Sequence, residues 1–410
     1  MKHIIPLFIS FLFLQQTVQA QITDTVSIGA SYSNQVWYSL ANDDQGSAPK
    51  NNWDIAFDAT PFGAAILANT ITGTTVWLYA AGDTADWATL DTAGLSTWPK
   101  YYNSDTSWAL GAFNQNATSQ FDLGWGMYNS ITHYVTGDSL YIIKLANNSY
   151  RKFWVIELAN GAYKFRYANL NNSGDQTVSL SKSNYTGKNF AYYSIQNNAA
   201  LDREPMSADW DLLFSQYTAF IPIPYTVTGV ISNVGTTVAQ ANGVDVNTVL
   251  YTSYSFNTPI NEIGYDWKTL NMQTFQYDIT DSLVYFVQTQ NGDIWKMIFT
   301  GFGGSANGNY IFTKELMSLS GVQEHNQSLF MELYPNPTNG TTTLTFSNNT
   351  NASTHVVVSD LAGKTVYETQ QAGNSGLQQI ALNTENWPSG MYIITIQSGD
   401  KMQNKKLIVQ

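Results

Sequence analysis

A short alternating stretch of hydrophobic and polar positions occurs twice along the chain. It reads Asn52-Trp53-Asp54-Ile55-Ala56-Phe57 first and Asp209-Trp210-Asp211-Leu212-Leu213-Phe214 later. A period of two predicts a strand with Trp53, Ile55 and Phe57 on one face, and a counterpart with Trp210, Leu212 and Phe214 on the same face. The flanks keep the same order. Thr25-Val26-Ser27-Ile28 matches Thr177-Val178-Ser179-Leu180, and Tyr38-Ser39-Leu40 matches Tyr193-Ser194-Ile195. Leu123-Gly124-Trp125 matches Ile263-Gly264-Tyr265, Tyr134 matches Tyr277, and Tyr163-Lys164-Phe165 matches Tyr310-Ile311-Phe312. Order kept over roughly 145 residues per copy predicts tandem domains, not a solenoid of short repeats.

Within the first copy, residues 139–144, 151–157 and 162–167 alternate as strands, and Asn160-Gly161 between the last two is a hairpin signal. Residues 60–129 are rich in Gly, Ala, Thr and Asn with poor periodicity, which predicts long loops and short helical turns. In the second copy the run Ala219-Phe220-Ile221-Pro222-Ile223-Pro224-Tyr225 is extended, and its prolines confine it to an edge or a crossover. The last part of the chain again shows short strands at even spacing between turn signals, the pattern of a small β-sandwich. The fold class expected is all-β throughout.

Composition narrows the function. Apolar residues make up 43% of 410 residues, enough for true cores, while charged residues are only 12%. The net charge is -12, and -13 once a leader carrying Lys2 is removed. Such a surface repels phosphate backbones, so nucleic acid is excluded as a partner. Lys2 and His3 followed by an apolar run to Leu14 and by Val18-Gln19-Ala20 read as a secretory signal over 1–20. No later apolar run reaches the length of a membrane helix, so the mature chain is expected to carry no transmembrane segment. The absence of cysteine removes disulfides and thiol chemistry.

Catalysis is not expected. One histidine in the body, His133, excludes a two-histidine metalloprotease motif and argues against a serine triad. The repeated pair Asp54 and Asp211 alternates with large apolar neighbours and reads as hydrogen-bond partners of strands or turns.

The strand "WDIAF" followed later by "YIIKLANNSYRKFWVIEL" and "GAYKFRYANL" resembles the HmuY-type haem-binding proteins of Bacteroidota. The resemblance spans two repeats, 21–175 and 176–318, and implies a β-rich ligand carrier framed by Trp53, Asp54, Phe57, Trp210, Asp211 and Phe214. Members of that family hold haem iron through two histidines or two methionines. This chain departs from that pattern, leaving His133 with a methionine, or two of Met127, Met206, Met272, Met297 and Met317, and the pair that lies in the right region is Met127 and His133, six residues apart. As residues, Met127 reads equally as a core side chain beside Trp125, and His133 as a hydrogen-bonded turn residue. Two classes stay open for the body: a carrier of haem or another small ligand, and a surface adhesion or glycan-binding module with many Trp and Tyr for sugar stacking.

A polar linker, 319–332, leads to the tail, 333–410. "YPNPTNG", "LAGK", "WPSGMYIITI" and the final "KKLIVQ" resemble the type A sorting domain of the type IX secretion system. The residues carrying the resemblance are Pro335, Asn336, Pro337, Gly340, Gly363, Gly390, Tyr392, Lys405 and Lys406. It implies the type IX secretion machinery as partner, passage through the periplasm, and a secreted or outer-surface protein.

Overall fold

The computed structural model describes residues 21–318, 331–348, 353–360, 363–372, 376–398 and 401–410. The leader assigned to 1–20 and most of the linker lie outside the described residues. The chain divides into two compact units, residues 1–320 and 321–410. Nearly all regular structure is antiparallel strand, as the alternating pattern predicts.

The body contains two sheets built on one plan. In the first, the strand order is Gln176–Ser181, Ala162–Ala168, Tyr150–Ala159, Tyr141–Lys144 and Thr75–Leu78, with Lys100–Tyr101 added at the end. In the second it is Ile22–Ser27, Asn309–Ser318, Ile294–Phe302, Leu283–Gln288 and Thr237–Asn242. Each edge strand is the opening strand of a copy, and it pairs with the closing strand of the other copy. Gln176–Ser181 follows its partner directly in sequence. Ile22–Ser27 instead pairs with the far end of the body, Val26 opposite Tyr310.

The exchange continues in two four-stranded sheets. Ile55–Asp58 of the first copy pairs with Phe190–Ser194 of the second, and Leu212–Phe220 of the second pairs with Asn34–Ser39 of the first. One core therefore gathers Ile55, Phe57, Tyr163, Phe165 and Tyr193, and the other Tyr38, Leu212, Phe214, Tyr310 and Phe312. The aromatic packing is repeated: Phe57 lies 4.9 Å from Tyr163 and 4.8 Å from Phe165, and Phe214 lies 5.0 Å from Tyr310 and 5.7 Å from Phe312. Such pairs contribute about 1 kcal/mol each beyond their burial, which matters in a chain with no disulfide.

The expected common face of Trp53, Ile55 and Phe57 is not formed. The strand begins at Ile55, so alternation starts there. Ile55 and Phe57 enter the core, whereas Trp53 packs with Ala56, Phe190 and Tyr192 on the opposite side. Trp210 likewise joins Leu213 and Tyr217, away from Leu212 and Phe214. The break falls at Asp54 and Asp211, whose side chains are tied to the neighbouring turn and not held in a ladder.

The weakly periodic 60–129 region carries 3-10 turns at Thr70–Thr72, Thr84–Ala88, Leu95–Thr97 and Ala112–Asn114 between short strands. Asn160 and Gly161 both have positive φ, 51° and 71°, the backbone that a two-residue hairpin turn of this hand requires. Pro224 starts an edge strand, Pro224–Ser232, as its missing N–H dictates. The tail folds as two sheets. Met331–Tyr334, Thr341–Asn348 and Gly376–Asn383 form one. Thr365–Gln371, Thr354–Asp360, Gly390–Ser398 and Lys401–Val409 form the other. Leu344, Phe346, Val356, Ile394, Ile396 and Leu407 fill the space between them, completing the expected sandwich.

Candidate functional site

The repeated aspartates are structural acceptors. The Asp54 amide donates to Tyr193 O at 3.0 Å, and its carboxylate accepts from Gln196 N at 3.1 Å and Gln196 Nε2 at 2.9 Å. The Asp211 amide donates to Tyr38 O at 2.8 Å, and Oδ2 accepts from Leu40 N at 2.8 Å. Each carboxylate thus caps the turn after a strand of the other copy. Burial pushes the Asp211 carboxyl up to about 6 against these favourable hydrogen bonds.

Two asparagines that the sequence reading missed complete these knots. Asn69 Nδ2 donates to Lys50 O and Trp53 O, both at 2.8 Å, and Asn233 Nδ2 donates to Ser207 O and Trp210 O, both at 2.7 Å. Their backbone amides donate to the carbonyls of Asp54 and Asp211. No repeated motif surrounds either asparagine, so only the fold reveals them as counterparts.

Met127 and His133 belong to the hairpin of Gly126–Tyr128 and Val135–Gly137. The loop between them is wound around Asn129, whose Oδ1 accepts the amides of Ile131 and Thr132 while its carbonyl accepts from His133 N at 2.8 Å. Asn271 organises residues 271–276 by the same bonds, with Phe275 in the place of His133. Both residues hold positive φ, 60° and 53°. This register sets Gln276 opposite Tyr134 and Tyr277 opposite Val135, one residue away from the match made on tyrosine identity.

His133 Nδ1 lies 2.6 Å from Tyr128 Oη, which fixes the imidazole on the Tyr128 side of the hairpin. Strand alternation turns Met127 to the opposite side, and it is 43% exposed, not packed in a core beside Trp125. Trp125 itself is fully buried. The two candidate ligands therefore do not converge on one metal position, and the residues present do not fit a haem held by that pair.

A broad concave surface of the body surrounds the loop 60–63. A hollow of about 810 Å³ lies on the hairpin side and is lined by Phe62, Tyr128, His133 and Tyr134. A second of about 640 Å³ runs past Trp108 to Asn233, Thr237 and Pro259. A third of about 490 Å³ passes Asn160 and Lys188 to Gln290. They share walls pairwise: Asp58 and Gly63, Pro61 and Lys182, Thr60 and Asn189. Loop 60–63 stands as a post where they meet, with the Phe62 ring wholly exposed at 101%.

The charged groups of these walls are already matched. Lys182 Nζ donates to Thr60 O at 2.7 Å and Gly63 O at 2.6 Å, and its burial pulls its pKa down. Asp58 accepts from Thr60 N and Oγ1 at 2.8 and 2.6 Å, and Lys188 pairs with Asp202.

In the tail, Pro335 and Pro337 both follow cis peptide bonds. Between them Asn336 acts as a piece of strand: Nδ2 donates to Lys406 O at 2.7 Å and Oδ1 accepts from Ile408 N at 2.9 Å. Thr338 continues the pairing beside Val409. Gly340 O accepts from Thr384 N and Oγ1, and Gly363, at φ 83°, closes the turn from Asp360. Gly390 opens the strand in which Tyr392 packs on Trp387, with its hydroxyl donating to Pro388 O. Lys405 donates to Met331 O and pairs with Glu332 at 2.8 Å, while Lys406 is exposed.

Among the described residues no helix is long and apolar enough to cross a membrane. No curated protein matches the chain. Among solved structures the chain matches dimeric latent PorU from Porphyromonas gingivalis at 10% identity, covering 92% of this chain and 34% of that one. The TM-score is 0.18, so this likeness carries no argument about the body. A family model, the secretion system C-terminal sorting domain, matches residues 332–410. That segment is the sandwich whose last strand Asn336 clasps, and it makes the chain a type IX secretion substrate that is secreted or held at the outer cell surface.

Proposed function

We propose that the exported body is a non-catalytic binding module of the cell exterior that takes a glycan in the hollows around loop 60–63. The observation that carries this reading is the fully exposed Phe62 ring on the rim of the hairpin hollow, carried by a loop whose other residues wall the two adjoining hollows. An apolar ring left in water at the edge of a concave surface offers a face that a sugar ring can cover. The buried carboxylates support a binding role over catalysis: Asp54, Asp211 and Glu204 all accept hydrogen bonds from backbone amides that hold the fold. The haem reading requires an axial pair, and Met127 and His133 face apart.

A glycan array probed with the purified mature chain tests the proposal. Saturable binding to a defined set of glycans, weakened by Phe62→Ala, is expected. A blank array would overturn it.

A further inference from the structure

Resting on that reading, we infer that the site is built for an extended, uncharged oligosaccharide chain that crosses from the first core region to the second. The joined hollows are the first ground. A single compact ligand fills one hollow of 300–1,000 Å³ on the usual scale (about the size of any one of these three) and leaves the others as bare groove. A linear chain passing Phe62 uses more than one. The hairpin hollow is walled by residues packed on the Phe57 core, while the other two end on Asn233, Thr237 and Gln290, beyond the crossing strands.

The chemistry of the walls is the second ground. Lys182, Lys188 and Asp58 line the groove, yet each is matched by a carbonyl, a carboxylate or a neighbouring threonine. No unmatched cation among these awaits a uronate, sulfate or phosphate, and the overall charge of -12 opposes a polyanion at distance. What the groove offers beyond them is the unused half of its amides, Asn160 Nδ2 beside an Oδ1 that takes the Tyr134 hydroxyl and Gln290 Oε1 beside an Nε2 that holds Ser207 O, with the Ser107 hydroxyl and aromatic faces at Phe62 and Tyr134. Hydroxyl and amide partners around an aromatic platform fit the two faces of a neutral pyranose.

Calorimetry with the mature chain and neutral gluco-, manno- and xylo-oligosaccharides, from disaccharide to octasaccharide, tests the inference. Affinity is expected to rise by about tenfold or more between disaccharide and hexasaccharide in one series. Phe62→Ala is expected to weaken every length, and it cannot unfold the body because the ring touches no core. Gln290→Ala is expected to weaken only the longer members. Equal affinity for disaccharide and hexasaccharide would leave the glycan-binding reading standing and overturn the extended site. Binding confined to sulfated or uronic chains and abolished by salt would overturn the uncharged ligand. Silence with every neutral series, set against a positive array, would overturn the inference alone.

Discussion

Asp211 reaches from the second copy to the first, where its Oδ2 accepts the Leu40 amide hydrogen at 2.8 Å. Asp54 makes the reciprocal contact to Gln196 N at 3.1 Å. Both carboxylates are buried, and removing either leaves turn amides without an acceptor. Asp211→Ala is expected to cost about 3 kcal/mol of stability, Asp54→Ala a similar amount, and Asp211→Asn less, because one acceptor oxygen remains. Urea denaturation measures this; a loss near zero would show that water replaces the carboxylate.

Glu204 gives the body a pH dependence of known sign. Its oxygens accept from Phe190 N at 2.6 Å and Tyr192 Oη at 2.9 Å, and burial pushes the carboxyl from 4.5 up to about 7. A carboxyl whose folded-state pKa is raised binds more protons in the native state, so stability falls as pH rises from 4.5 to about 7. Asp211 acts in the same direction between 3.8 and about 6. Lys268, lowered to about 7 by burial, works above that range with the opposite sign. Glu204→Gln, which carries no titrating proton, is expected to flatten the fall in stability between pH 4.5 and about 7. Thermal unfolding across this range reads the slope, and an unchanged profile in the variant would refute the assignment.

The tail depends on its last strand. Lys401–Val409 pairs along Gly390–Ser398 and places Leu407 and Val409 in the core of the sandwich. Deleting residues 401–410 is expected to strand the protein in the periplasm, as cell fractionation would show. Asn336→Ala, which removes two hydrogen bonds to the same strand, is expected to destabilise the tail by about 1–2 kcal/mol and to slow export without abolishing it. Undiminished export of the deletion would argue that the strand is dispensable.

Haemin makes a sharp negative control. With Met127 and His133 on opposite sides of their hairpin, no absorption band should depend on both residues. A saturable Soret shift lost in Met127→Ala and again in His133→Ala would show that the hairpin rearranges on binding.

Much of the fold could be read from local pattern. Alternation located the strands of 139–167 and the tail, Asn160-Gly161 marked its hairpin, and the prolines of the 219–225 run marked an edge. The site could not be read in this way. Loop 60–63 has no periodicity, and Phe62 is conspicuous only because the fold leaves it uncovered. Asn69 and Asn233 lie in unlike sequence, and their equivalence consists of matching bonds to Asp54 and Asp211.

The amino-acid sequence by itself determined the all-β class, the twofold recurrence of the Trp-Asp strand, and the sorting domain at 332–410. These follow from side-chain period, turn chemistry and short motifs, all of which are local. Tertiary structure alone decided that each copy lends its opening strands to the other, that Trp53 and Trp210 turn away from the faces their spacing suggests, and that Met127 parts from His133. A backbone ladder forms between any two extended segments, so the sequence of Ile22–Ser27 does not name Asn309–Ser318 as its partner. The choice is made by which pairing buries Tyr38, Phe214 and Phe312 in one core.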